Sequence, residues 1–425
     1  MKTKIKIVVA LFVAGVLCTT NWVKSQEIRF RLVVSPSVVD LINVPVHTTI
    51  RLPDDFTHIP VEEISVILQD QDKPGKDVPG QILMSNDKGG SRVQLWWILP
   101  KAEVGEESRW VATLSREKKE SQGSFSWEDL PGEYLDLILN GRKVIRYMYT
   151  FDDSSPERLH ETYKPFHHVF DLEGKNLLTK GPGGLYTHHR GIFIGWNKLE
   201  FRGERLDLWH MDGGVQKHRK FLHKTAGPIL ARSESLIHWT DKEGVSMIAE
   251  QREITVFQQP SPTVILLEFR TKLKAVNGDV FLNGDPEHGG FQFRTHNDIS
   301  KGSERAQNRD LKDYEDIRAR YLFHEEGTDP RKDRNLPWVA MCFGLNDRHY
   351  TVQHMNHPDN PKPTVYSAYR DYGRFGAFFK QRIKESETLA LRYRIRVIEG
   401  KLPNREKMEA KYLSFSNPPK VQVLK

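Results

Sequence analysis

The stretch Leu389-Ala390-Leu391-Arg392-Tyr393-Arg394-Ile395-Arg396-Val397 alternates apolar and polar side chains almost without a break. Successive side chains of an extended chain point to opposite faces, so this pattern predicts a β-strand with one buried face and one face carrying three arginines. The same alternation recurs at 63–69, 92–99, 245–254 and 264–273, and the segments between are rich in Gly, Pro, Asn and Asp. Those residues favour tight turns, and helical periodicity is scarce. Strands at such spacing, without long helices between them, assemble into antiparallel sandwiches or barrels.

The expected fold class is therefore all-β: an N-terminal immunoglobulin-like sandwich over residues 26–125, then a large antiparallel β-supersandwich over 130–405, with a C-terminal tail over 406–425. The boundary is placed near Gly123 to Gly132, where a Ser- and Gly-rich segment leads into the strand-like run 134–139. The N-terminal hundred residues hold few histidines, which suits a supporting or substrate-presenting role. Residues 301–335 carry 18 charged residues in 35; this run, with a short helix expected at 309–320, reads as a solvated excursion from a sheet.

Among 425 residues, 38% are hydrophobic and 28% charged, which excludes a disordered, collagen-like or polytopic membrane protein. The formal charge is +7, but Lys2, Lys4, Lys6 and Lys24 precede every acidic residue, leaving +3 from residue 26 onward. No nucleic-acid partner is expected on so small an excess. Residues 1–25 combine that basic start, an apolar run from Ile7 to Leu17 and the exit Val23-Lys24-Ser25, the order of a cleaved secretory signal. The run is too short for a bilayer core of ~30 Å, and no later stretch approaches the ~20 apolar residues of a spanning helix. The expected location is periplasmic or secreted, with no stable membrane span. Leu17 before Cys18 argues against lipidation. Cys342, alone after cleavage between Met341 and Phe343, reads as core.

Histidine distribution points to the chemistry. Of 17 histidines, 15 fall between His160 and His357. Imidazole both gives and takes a proton near neutral pH and is a common metal ligand, so the clustering marks a site of either kind. The densest segment runs from Gly181 through Tyr186, His188, His189 and Arg190 to Trp196. Its glycines permit close backbone approach to a ligand, and 192–196 reads as the following strand. His188 and His189 point to opposite faces if extended, and line one pocket only if they lie in a loop. They are then an acid/base or ligand pair; otherwise one is core and one surface.

A second cluster is Asp207-Leu208-Trp209-His210-Met211-Asp212, where Trp209 suits stacking on a sugar face. Glu250 and Arg252 share a strand face, and the segment from Asp285 through Glu287 and His288 to Arg294 offers another carboxylate and imidazole. A carboxylate that orients an imidazole fixes its tautomer and raises its basicity. The third cluster holds His354, Asn356, His357 and Asn360, then Arg370, Tyr372 and Arg374, combining turn residues with stacking rings and forked donors. Phosphate-loop, dinucleotide, H-E-x-x-H, paired C-x-x-C and G-x-S-x-G patterns are all missing. The sequence names no cofactor.

Several of these motifs occur together in an order that resembles the bacterial PmoA-like family: Tyr163 to His168, Thr187 to Gly191 with Trp196, Asp207 to Trp209, Glu250 to Arg252, Asn356 to Pro361, and Tyr372-Gly373. The resemblance runs from about Arg142 to Gly400, and the segment before it is similar to the extra sandwich of longer members. The methane-oxygenase label of that family does not fit a chain without a spanning segment after its leader. The resemblance implies an exported protein whose core is similar to the β-sandwich of galactose mutarotase relatives, which bind sugars in a concave sheet and use His and Glu as acid and base.

The expected function is an exported carbohydrate-active enzyme acting on a sugar or sugar-derived small molecule by proton transfer, through epimerisation, elimination or glycoside cleavage. His188, His189, Glu250 and Glu287 are the expected catalytic groups. Arg190, Trp196, Trp209, His210, His288, Arg294, Asn356, His357, Asn360, Arg370, Tyr372 and Arg374 are the expected substrate contacts. A metal-dependent hydrolase or oxygenase with ligands among His188, His189, His210, Asp212 and His357 is one alternative, and a noncatalytic glycan-binding protein another.

Overall fold

A computed structural model describes residues 27–84, 91–116, 123–299, 319–400 and 402–424. The expected leader at 1–25 lies outside them. So does the helix expected at 309–320, except for Ala319 and Arg320, where Arg320 opens the strand Arg320–Phe323. The described residues are nearly all β, as the alternating segments predict. None of their helices is long and apolar enough to cross a membrane.

Seven strands form the first unit, in the order Leu41–Arg51, Arg92–Ala102, Val78–Met84, Ser65–Asp70, Ser108–Ser115, Ile28–Val34 and Val421–Val423. Its two edges come together, with Thr48 Oγ1 donating to the Val421 carbonyl at 3.1 Å. The sheet thereby curls around Phe56, Leu68, Leu95 and Trp97, all fully buried. The second unit places two eight-stranded antiparallel sheets face to face. One runs from Val365–Tyr366 through Arg374–Phe378, Gly289–Arg294, Ile192–Trp196, Phe166–Val169, Arg142–Met148 and Tyr134–Leu139 to Phe125–Leu130. The other runs from Gly214–Ala226 through Leu230–Asp241, Ser246–Phe257, Thr263–Ala275, Thr388–Glu399, Arg348–Asn356 and Trp338–Leu345 to Arg320–Phe323. Phe291 of the first sheet packs between Phe269 and Tyr393 of the second, with ring centroids 4.4 and 4.5 Å apart, and fixes the inter-sheet core.

The opening alternation is realised in Thr388–Glu399, yet its arginine face is not left to water. The helix Arg405–Ser416, capped by Asn404 Oδ1 at the Lys407 amide, lies across it. Met408 and Phe415 of this helix pack on Trp338, Ala340 and Met355. Arg394 is buried beneath it, bonded to Ser414 Oγ at 3.1 Å and ion-paired with Glu268 at 2.5 Å. Residues beyond the helix then return to the first unit as the strand Val421–Val423, in register with Leu32 to Val34. The units also meet where Gln81 Oε1 accepts from the amides of Ile229 and Leu230, beside Leu83, Trp96 and Phe257.

Removing one partner of a buried ion pair leaves the other charge uncompensated, which costs about 3–5 kcal/mol. Glu268→Ala is expected to lower unfolding stability by about that amount in urea titration. A loss near zero would show that Arg394 does not depend on Glu268.

Candidate functional site

Strand pairing decides which side chains leave the core. Ile192–Trp196 pairs with Gly289–Arg294, which pairs with Arg374–Phe378, in registers that set Phe193 opposite Gln292 and Arg294 opposite Arg374. Ile192, Ile194, Phe291, Phe293 and Phe375 belong to the inter-sheet core. Alternation therefore sends Phe193, Gln292, Arg294 and Arg374 to the outer face of the sheet. Loops around residues 180–190, 207–212, 285–288 and 369–373 roof that face.

Gly195 allows the roof to sit directly on the strand. Leu208 N donates to the Trp196 carbonyl at 2.9 Å, and a Cβ at Gly195 would stand 2.3 Å from the Leu208 carbonyl oxygen. Trp209 follows, its ring 4.8 Å from Phe193 and its carbonyl held by Lys164 Nζ at 2.6 Å. The Arg374 guanidinium lies 5.5 Å from the Trp209 ring centroid. Above this floor four imidazoles form a chain: His189 to His188 at 4.4 Å, His188 to His210 at 4.3 Å, and His210 to His288 at 5.3 Å between ring centroids. Tyr372 stacks toward His189 at 6.2 Å, and the 41% exposed Tyr186 covers Tyr372 at 4.9 Å. Tyr186 and Met211, flanking the two histidine segments, adopt left-handed φ of 54° and 63°, a strain that non-glycine residues hold where the surroundings impose it.

The outer two imidazoles share a local construction. Asp207 Oδ2 meets His210 Nδ1 at 2.7 Å, while its Oδ1 accepts from the amides of Trp209 and His210. Asp285 Oδ1 meets His288 Nδ1 at 2.8 Å, and its Oδ2 accepts from Asn197 Nδ2 at 2.9 Å. Burial raises both Asp carboxyls, but hydrogen bonds outweigh it and hold them below their usual range: chiefly from His210 on Asp207, and from Asn197 and His288 on Asp285. An ionised carboxylate only accepts, so Nδ1 carries the proton in each pair. The Nε2 atoms are then left as bases. With side chains 38% and 37% exposed, His210 and His288 form the mouth of the site.

His188 and His189 lie deeper. Burial, then Lys164, His210 and Arg190, push His188 down to about 2; burial, then Arg374 and His188, hold His189 well below the ordinary range. His189 is 3% exposed, and its Nδ1 has no hydrogen-bond partner. Both rings are neutral at physiological pH.

The structure gathers most of the expected residues and separates the rest. His188, His189, Trp209, His210, His288, Arg294, Arg370, Tyr372 and Arg374 meet on this face. Glu287 stands at its rim, held by Arg370 at 2.7 Å and Tyr369 Oη at 2.8 Å, so it is a positioning carboxylate there. Arg190 is wholly buried on the Thr187 and His160 carbonyls and the Tyr163 ring, behind the imidazoles. Trp196 falls on the inner side: alternation sets it beside Ile192 and Ile194, its Nε1 bonded to the Phe379 carbonyl, where no ligand stacks on it. Glu250 is also inside the sandwich. Arg252, Trp239 and Thr271 saturate its oxygens at 2.7–2.9 Å, so it has no free lone pair for acid/base work. Asn356, His357 and Asn360 close a turn at the end of a strand in the other sheet. Asn360 bonds Asn356 and the Arg392 carbonyl, and His357 packs on Phe415, which explains them as turn and packing residues. Among the described residues no group of three His, Cys, Asp or Glu side chains is disposed to hold a metal ion. The sequence places Asp207 and Asp285 in these clusters but gives neither a role of its own, although both stand in one spacing, Asp-x-x-His, with the imidazoles they orient.

A histidine in the unfolded chain titrates near 6.5. Because the folded values of His188 and His189 are depressed, the stability tied to them is complete above about 6.5 and is lost as pH falls toward the folded values, the unfolded chain binding protons first. His168 and His354, at about 3, and His357, at about 4, act in the same direction. The unfolding midpoint in urea should therefore fall from about pH 7 to pH 5, and His189→Gln should reduce the proton uptake on unfolding by about one. An unchanged slope would mean that His189 is already protonated in the folded protein.

No curated protein matches the chain. Two structures of uncharacterized protein lmo2446 from Listeria monocytogenes EGD-e, one in complex with α-D-glucose, β-D-glucose, magnesium and calcium, align with 86% of this chain at 10% identity. The chain spans 30% of that protein's length and the TM-score is 0.18, so the likeness carries no argument for fold or ligand. The sequence model of one family matches residues 134–413, a span that contains all four imidazoles and both aspartates. The chain belongs to that family, a family of unknown function designated DUF6807.

Proposed function

We propose that this chain is an exported carbohydrate-active enzyme whose roofed sheet face binds a sugar or sugar derivative and moves protons on it. The observation that carries the proposal is the pair of aspartate-oriented imidazoles, His210 and His288, at 5.3 Å across one mouth. Epimerisation, elimination and glycoside cleavage all need one group to take a proton and another to give one. Two rings with fixed tautomers and accessible Nε2 atoms suit those roles, one as base and the other, when protonated, as acid. The uncharged His188 and His189 beneath them are short-range hydrogen-bonding groups for hydroxyls. The exposed Tyr186, backed by the buried Tyr372, offers a ring face beside those groups, the combination that matches a pyranose with its C–H face and its hydroxyl rim. The resemblance of the core to galactose mutarotase relatives supports the same reading, and the leader-like N-terminus supports export.

Turnover of a panel of glycosides, free sugars and sugar acids tests the proposal. Asp207→Asn leaves the shape of the pair but lets the amide donate to Nδ1, which reverses the His210 tautomer. It is expected to lower kcat on an active substrate by about 10²–10⁴ with KM nearly unchanged, as is His210→Gln. Full activity in both variants would remove His210 from the chemistry.

A further inference from the structure

We infer that the sugar held at this site is anionic and presents an oxyanion, a carboxylate or its equivalent, to the cations beneath His188 and His189. The inference rests on the proposed sugar-binding role and adds the charge class of the ligand.

Four buried basic groups lie about the floor of the site: the guanidiniums of Arg190 and Arg374, and the amines of Lys164 and Lys180, which burial holds well below the lysine range and down to about 7 respectively. Lys164 donates to the Trp209 carbonyl and lies 4.6 Å from the Phe193 ring centroid. Lys180 donates to the carbonyls of Gly181 and Gly183. Arg190 binds the carbonyls of Thr187 and His160, and Arg374 binds Gln292 Oε1 and Ser367 Oγ, both at 3.1 Å. Among the described residues, every one of these hydrogen-bond partners is uncharged. The carboxylates of the site are engaged elsewhere: Asp207 with His210, Asp285 with His288 and Asn197, Glu287 with Arg370 and Tyr369.

Two other buried guanidiniums of the domain are treated differently. Arg252 is paired with Glu250 at 2.8 Å and Arg394 with Glu268, and the partly exposed Arg146 meets Asp136 through two bonds of 2.7 Å. Burying a charge without an opposite one is strongly unfavourable, and the lysines answer by holding their protons less tightly; the Arg190 and Arg374 guanidiniums stay charged, so the floor is arranged for a negative charge that arrives from outside and restores the charge of the amines beside them. Unused donors point the same way. Trp209 Nε1 and Arg374 Nε are buried without an acceptor, as is His189 Nδ1, which donates in one tautomer. An oxyanion supplies several acceptor lone pairs at one place and satisfies donors that a lone hydroxyl cannot. Ring contacts link the partly exposed His210 and His288 through His188 to His189 at this floor.

Calorimetric titration of the whole chain at matched ionic strength with D-glucuronate, D-galacturonate, D-glucose 6-phosphate, D-glucose, D-galactose, acetate and inorganic phosphate tests the inference. The expected result is at least about tenfold tighter binding of one charged sugar than of its neutral counterpart, with that preference falling as salt is added. The uronate and phosphate arms tell which oxyanion is taken. Arg374→Gln should cut the preference about tenfold; Lys164→Met, which keeps the stem of the side chain, serves as the second variant should Arg374→Gln not fold. Equal binding of neutral and charged sugars would overturn the inference while leaving the sugar site intact. Binding of acetate or phosphate as tightly as any sugar acid would support an oxyanion pocket and overturn the sugar reading on which the inference stands. Failure of every anion to bind at millimolar concentration would overturn it outright.

Discussion

All five residues of Ile192–Trp196 are buried, although only alternate ones face the core, and this double burial is the constraint on which the site depends. A strand covered on both faces needs a second layer outside the sheet. Here the layer is made of loops, and loops bring polar backbone and side chains into places without water. The outer face therefore becomes a desolvated polar compartment. Its rings, cations and carboxylates affect one another strongly because little solvent stands between them. The conversion depends on Gly195, since any side chain there would lift Leu208 and Trp209 off the strand and let water beneath them.

How far the sequence discloses this follows from what each residue type can signal. The all-β architecture is legible because period two survives in strands such as Ser65–Asp70 and Thr388–Glu399, and 134–139 and 192–196 match their observed bounds. The convergence of His188, His189, His210 and His288 is legible only as histidine density, since pairing of distant strands leaves no local mark. Trp196 and Glu250 mislead for one reason: each is a residue type suited to a ligand on a strand face turned inward. Strand parity alone does not say which face is core when both are covered. For Trp196 the apolar neighbours Ile192 and Ile194 carry the missing information. For Glu250 it is Arg252 two residues on, close enough to neutralise it within one strand. The Asn356 to Asn360 turn shares its composition with a binding loop because Asn and Pro serve tight turns and ligands alike.

The arginine face of Thr388–Glu399 makes a related point about reach. Polar alternation in the sequence marks a face that avoids the apolar core, and here that face is covered by the helix Arg405–Ser416, which arrives after the strand. Glu268 on the neighbouring strand makes the cover tolerable by balancing Arg394. The strand Val421–Val423 then pairs with Ile28–Val34, so the segment whose helix covers the second unit goes on to complete the sheet of the first.

The two imidazole pairs divide the site by the sign of their surroundings. Toward the mouth, aspartates fix the tautomers of His210 and His288 through Nδ1; toward the floor, burial and then lysine and arginine side chains disfavour the protonated ring in His188 and His189. An anion seated among the floor cations changes this balance, because a negative charge close to an imidazole favours its charged form. Binding and proton uptake at the floor are then linked, each promoting the other. Under the anionic-ligand inference, the inner histidines, held neutral by burial and the nearby basic groups, would take up protons more readily once the ligand is bound. On that inference, the buried guanidiniums of Arg190 and Arg374 would make the acid/base capacity of the site depend on the charge of the molecule it holds.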